Sequence, residues 1–200
     1  MLSPLVLDPM HVRRTFGVGA IKIDPTDSLL LTGIGGAQQE TVLGMRGMEV
    51  RDGSGERGYY EVQIVCYEDS GVVPPAPISV GLAIDDADLN IELGLIRGSL
   101  GWSPKGIIWG NLGTQMNVIA ALELRSVIDE DAALKFSIGD VVGIMVDCTE
   151  VSTLRFFVNG GQAHWMLVTP DVQGQVLYPA FCLSGNNQIR ISSNPNLPTV

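Results

Sequence analysis

Cations are scarce in this sequence. Lys and Arg together number 12 against 22 Asp and Glu, a formal net charge of −10. The pair Arg13-Arg14 is the nearest thing to a basic block. Phosphate backbones and anionic lipid are held by clustered Lys and Arg that displace counterions. The expected partners therefore include no nucleic acid and no membrane, and a neutral or basic protein surface fits the charge. Cysteine is almost absent too. Cys66, Cys148 and Cys182 lie far apart in apolar stretches without C-x-x-C spacing. An odd count in such settings reads as reduced, buried thiols, not as a disulfide or zinc framework. Histidine is limited to His11 and His164, and no G-x-S-x-G elbow occurs, so a Ser-His-Asp site has no visible carrier. No basic residue precedes the first apolar stretch, which Pro4 and Asp8 interrupt, and no apolar run is long enough to span a bilayer. An intracellular, cytoplasmic protein is expected.

Glycine and short apolar runs are what the sequence has in plenty. Glycine supplies 24 of 200 residues and proline 11, against a usual glycine share of about 7%. So many breakers disfavour long helices. A hydrophobic share of 46% with 17% charged excludes disorder for most of the chain. The length fits one domain at about 150 residues each, with room for an appendage.

The apolar runs carry strand periodicity. In Tyr59–Tyr67, Tyr60, Val62, Ile64 and Cys66 fall on one face and Glu61 and Gln63 on the other. Ile78–Ile84 and the nearly continuous Val141–Cys148 read as buried strands, and Val176–Leu183 and Gln188–Ser192 as two more. Ser152–Val158 alternates and runs directly into Asn159-Gly160, the strongest short hairpin signal. Short strands are also expected within 12–23, 28–32, 41–46 and 98–109. The stretch 117–133 reads equally as a short helix or as a strand followed by an acidic loop. Many short strands with turn signals every ~8–12 residues predict an all-β antiparallel sandwich or barrel.

In chain order, several of these blocks resemble the SPRY (B30.2-type) domain family. Gly58-Tyr59-Tyr60-Glu61-Val62 is similar to its G-x-[YW]-[YFW]-E-V strand, and Ser79-Val80-Gly81-Leu82-Ala83 to its V-G-[VLW]-A strand. Gly101-Trp102-Ser103 matches a shorter piece. Phe136–Asp147 resembles the F-x-x-G-D-V-[IV]-G-[CV]-x-[LV]-D block, and Leu154–Gly160 the L-x-F-[FYT]-x-N-G hairpin. Leu177-Tyr178-Pro179-Ala180-Phe181 looks like the closing strand. The resemblance covers residues 20–192, with 1–19 as an N-terminal extension packing on the domain and 193–200 as a loose tail. Leu7-Asp8-Pro9 is similar to the L-D-P of the longer B30.2 form. The stretch between Trp109 and Phe136 is longer than in the family and lacks its Tyr-Gly signature, and the 70–77 loop is proline-rich in its own way.

The resemblance implies a bent antiparallel β-sandwich of the concanavalin-like, jelly-roll type. It implies a non-enzymatic protein–protein recognition module that binds a partner protein or peptide through loops on one side. An adaptor, or a subunit of a larger assembly, is the expected role, with no cofactor and no metal. The alternative from shared architecture is a carbohydrate-binding, lectin-like module. The candidate loops are 67–77, 85–92, 102–111 and 159–165. Binding energy concentrates in exposed aromatics and cations, so the candidate binding residues are Tyr67, Trp102, Lys105, Trp109 and Trp165. For Trp102 and Trp109 a place in the core is the competing reading, since sandwiches commonly bury a Trp. Asp86-Ala87-Asp88-Leu89-Asn90 imitates the start of a calcium loop, but Ile91 and Arg97 stand where Gly and Glu are required. No strand carries the spaced carboxylates of a jelly-roll glycosidase.

Overall fold

The computed structural model describes residues 3–4, 21–24, 26–27, 30–33, 40–44, 47–68, 78–85, 93–95, 98–112, 132–168, 170–193, 195 and 198. Strands β1 (Ser3–Pro4), β2 (Ile21–Ile23), β3 (Leu30–Gly33), β4 (Glu40–Leu43), β5 (Met48–Glu49), β6 (Arg57–Cys66) and β7 (Ile78–Ile84) come first. β8 (Ser99–Trp102), β9 (Ile108–Asn111), β10 (Val141–Asp147), β11 (Thr153–Val158), β12 (Gly161–Leu167), β13 (Val176–Leu183) and β14 (Gln188–Ile191) follow. They form an eight-stranded sheet in the order β12-β11-β10-β6-β14-β3-β2, and a six-stranded sheet in the order β4-β13-β7-β8-β9. β1 adds to β6 in parallel at Gly58 and Tyr59, beyond the end of β14, and β5 adds to β13. Every other pairing among the described residues is antiparallel, so the chain is an antiparallel β-sandwich, as its strand patterns predict.

Alternation builds the core between the sheets. Tyr60, Val62 and Ile64 of β6 face Val80 and Leu82 of β7 and Phe181 of β13 in one buried cluster. Tyr60 and Phe181 meet edge to face at 5.5 Å, and the Tyr60 hydroxyl donates to the Gly81 carbonyl at 2.5 Å, which ties the two sheets together. Trp102 packs edge to face on both Phe136 and Phe156. Pro179 lacks an N–H, and it sits where β13 has left β4 and not yet reached β5.

Three local expectations are corrected. β6 is buried on both faces: Tyr59 and Glu61, on the side away from the inter-sheet core, are nearly as covered as Tyr60 and Val62. There Tyr59, Met145 and Phe157 form a small cluster of their own. In the sequence, Gly81 and Gly143 fit places where two sheets approach closely or where a strand bends; the structure shows them required by neighbours within their own sheets. A Cβ on Gly81 would strike the Leu100 carbonyl of β8, and one on Gly143 the Tyr59 ring. Finally, two expected loops are mostly strand: within 102–111 only 103–107 is turn, between β8 and β9, and within 159–165 only Asn159-Gly160 is turn, after which the chain returns as β12. Most of 117–133, 1–19 and 193–200 lies outside the described residues. Ala132–Leu134 is a single 3-10 turn, and Pro195 is buried.

Candidate functional site

Strand registers place the connections. Cys66 lies opposite Gln188, Ile78 opposite Leu183, and Val80 opposite Trp102. The end of β6, the start of β7, the β8–β9 turn at 103–107, the 135–140 turn, the Asn159-Gly160 turn and the 184–187 turn therefore share one end of the sandwich. The 51–56 loop, the 148–152 turn and the Ile84–Gly98 connection share the other. Of the four expected binding loops, 102–111 and 159–165 have their turns at the first end, the strands that flank 67–77 end and begin there, and 85–92 starts at the opposite end. Residues 69–77 and 86–92, the calcium-like segment included, lie outside the described residues.

Side chains pin the turns of the first end. Asp140 accepts from the Ser137 N–H at 2.7 Å and hydroxyl at 3.1 Å, and from Asn159 Nδ2 at 2.8 Å. These donors outweigh partial burial and hold its carboxyl below the ordinary value, the Asn159 amide contributing most. Asn159 adopts φ 50°, a left-handed conformation that Asn tolerates better than most residues, and its Oδ1 accepts the Val141 N–H at 2.9 Å. Asn187 Oδ1 accepts the Glu68 N–H at 2.8 Å, joining the β13–β14 turn to the start of the 67–77 loop. The Trp102 indole N–H donates to the Leu134 carbonyl at 3.0 Å, and the Phe136 N–H to the Pro104 carbonyl at 3.1 Å, which holds the β8–β9 turn.

The five candidate residues separate. Trp102 is 0% exposed and Trp109 4%, so both are core residues and present no surface to a partner. The packing that makes a large aromatic useful in an interface also fills a sandwich interior, and composition cannot tell the two apart. Tyr67 and Lys105 are both half-buried at the pinned end, and each already has a partner within the chain. Trp165 is 53% exposed, yet it lies in mid-strand. It is opposite Arg155, which is opposite Met145, on the sheet face that carries Tyr59. Tyr67 and Lys105 are thus brought to one end, and Trp165 stands apart.

Sequence reading missed two features. Asn159 does more than permit the hairpin turn: its side chain clamps β10 and Asp140. Leu167 and Val151 join Trp165 among the most exposed large apolar side chains. The alternation of Trp165 and Leu167 against His164 and Met166 was the available signal for β12.

Beside Trp165, a carboxylate is buried among cations. Asp147 is 2% exposed and meets Arg57 Nε at 3.2 Å and Arg155 Nη2 at 3.4 Å. Thr149 donates to it from N–H and hydroxyl at 3.1 and 2.7 Å, so this carboxylate at the end of β10 caps the turn that follows. Burial alone would raise its carboxyl, but the Thr149 donors and the Arg57 guanidinium hold it below the ordinary value. Among the described residues, no group of three His, Cys, Asp or Glu side chains could hold a metal ion. The three cysteines are free thiols, Cys148 and Cys182 buried and Cys66 half-buried.

Comparison with known proteins agrees with this architecture. The family model described as SPRY domain matches residues 57–195. A crystal structure of the SPRY domain of human HERC1 is similar at TM-score 0.56 and 17% identity, covering 92% of this chain and 95% of that one. A human SPRY domain is similar at TM-score 0.57 and 19% identity, over 89% of this chain and 98% of that one. The TRIM65 PSpry domain is similar at TM-score 0.58 and 13% identity, over 96% and 93%. Curated protein sequences contain no match.

Proposed function

Because this chain belongs to the SPRY domain family, whose members are generally protein-interaction modules rather than enzymes, we propose that it is a non-enzymatic recognition module that docks a partner protein or peptide on the pinned loop end. The observation that carries this reading is the set of side-chain clamps at that end: Asp140 with Ser137 and Asn159, Asn187 with Glu68, and Trp102 with Leu134. Turns fixed before binding lose little conformational entropy when a partner arrives. Tyr67 and Lys105 are the binding residues of this surface, and the acidic balance of −10 favours a neutral or basic partner. An adaptor or assembly subunit in the cytoplasm fits a domain of this kind, and the free thiols fit a reducing compartment.

Affinity capture from native cells with wild-type chain and Lys105→Glu tests the reading. A partner retained by wild type and reduced about tenfold by the variant, with the thermal midpoint within about 2 °C, supports it. Equal capture by both, or binding confined to glycans on an array, contradicts it.

A further inference from the structure

β12 ends the larger sheet, and among the described residues nothing pairs with its outer edge. The register fixes which main-chain groups face outward. The Val168 N–H donates to the Ser152 carbonyl at 2.9 Å, and Thr153 is opposite Leu167. In an antiparallel ladder this makes Leu154–Met166 a hydrogen-bonded pair, and Thr153–Leu167 and Arg155–Trp165 the alternate kind. The N–H and C=O groups of Trp165 and Leu167 therefore point away from β11.

Exposed edges in monomeric proteins are guarded by Lys, Pro, inward charges or bulges. β12 reads Gly-Gln-Ala-His-Trp-Met-Leu and has no Lys, Arg, Asp, Glu or Pro. The register shift at Phe156/Phe157 lies near the hairpin turn, and from His164 to Leu167 the pairing is regular. At the opposite end of the same sheet, β2 carries the exposed Lys22. Here the outward edge is flanked by Trp165, 53% exposed, and Leu167, 57% exposed, with Val151 beyond them. The cations of this face, Arg57 and Arg155, are held by Asp147. In the segments at the Leu167 end, 51–56, 148–152 and 170–172, the exposed charges are the carboxylates Asp52, Glu56, Glu150 and Asp171 against the single cation Arg51. An apolar edge bordered by carboxylates is complementary to an apolar strand with basic side chains. A second copy of this chain is disfavoured, because two bodies each at −10 repel.

We propose that the β12 edge accepts an extended segment of a partner protein as an added strand, with apolar side chains beside Trp165 and Leu167 and Lys or Arg between them. This surface is separate from the loop end, so the two readings fail independently.

Amide exchange and peptide titration of the whole chain, followed by NMR, test it. In the free protein, the Trp165 and Leu167 amides exchange about tenfold or more faster than that of Met166. A short synthetic peptide alternating Lys and Val binds saturably and slows exchange at Trp165 and Leu167. Its counterpart alternating Glu and Val binds about tenfold or more weakly. Trp165→Lys, which guards the edge without breaking the strand, weakens the Lys-Val peptide about tenfold, whereas Lys105→Glu leaves it unchanged. The proposal is overturned by slow exchange at Trp165 and Leu167 in the free protein, by equal binding of the two peptides, or by protection that maps elsewhere. A β12-dependent homodimer on a sizing column also overturns it, by giving the edge a different occupant.

Discussion

Asp147 shows how one residue can be legible in role and hidden in environment. Its place at a strand end predicts a carboxylate that accepts turn N–H groups, and Thr149 supplies them. Nothing in the sequence places Arg57 and Arg155 beside it, because they arrive from two other strands. Removing one partner of a buried, paired charge strands the others, so Asp147→Ala is expected to cost about 3–5 kcal/mol in chemical denaturation. Asp147, Asp140 and Asp52 are all held below the ordinary carboxylate value, Asp52 mainly by donors from Ser152. A carboxyl whose folded value is depressed contributes stability above its unfolded value. That contribution is lost as pH falls through the folded value. The thermal midpoint is therefore expected to hold from neutral pH to about pH 5 and to fall below about pH 4, with a smaller acid loss in Asp147→Asn. Tryptophan is the opposite case: residue type alone cannot assign Trp102 to the core and Trp165 to the surface, and only strand register separates them.

At the scale of elements, β7, β10, β11 and β13 were readable almost residue by residue, because alternation and apolar runs report a buried face directly. The alternation in β6 predicts one buried face, since Glu61 and Gln63 look like a solvent side. That side is covered, and Glu61 accepts the Tyr59 hydroxyl at 3.0 Å. β12 was missed because its small and polar residues hide a period of two, and its exposed apolar side chains break the usual inside-outside rule. Gly143 makes the packing of this covered face testable. Gly143→Ala drives a methyl into the Tyr59 ring, so a loss of about 1–3 kcal/mol is expected by denaturant titration. At the hairpin, Asn159→Ala removes the clamps on Val141 and Asp140 and strains a left-handed position. It is expected to lower stability by about 1–2 kcal/mol.

At the scale of the whole molecule, a frame carries the two proposed surfaces. The frame is two sheets tied by Tyr60 and Gly81 and filled by aromatic edge-to-face packing. Fold class was legible because the ordered motifs that build the frame are local in sequence. The site was legible only in part, since three of the expected loops converge by register at one end and no local pattern encodes that convergence. Recognition at the pinned end is the central claim. Hydrogen exchange of the chain, alone and bound to its captured partner, tests it most directly. Slowed exchange at 67–68, 103–107, 135–140, 159–160 and 184–187 is the predicted footprint. Protection confined to 51–56 and 148–152 at the opposite end, with those turns unchanged, would contradict it.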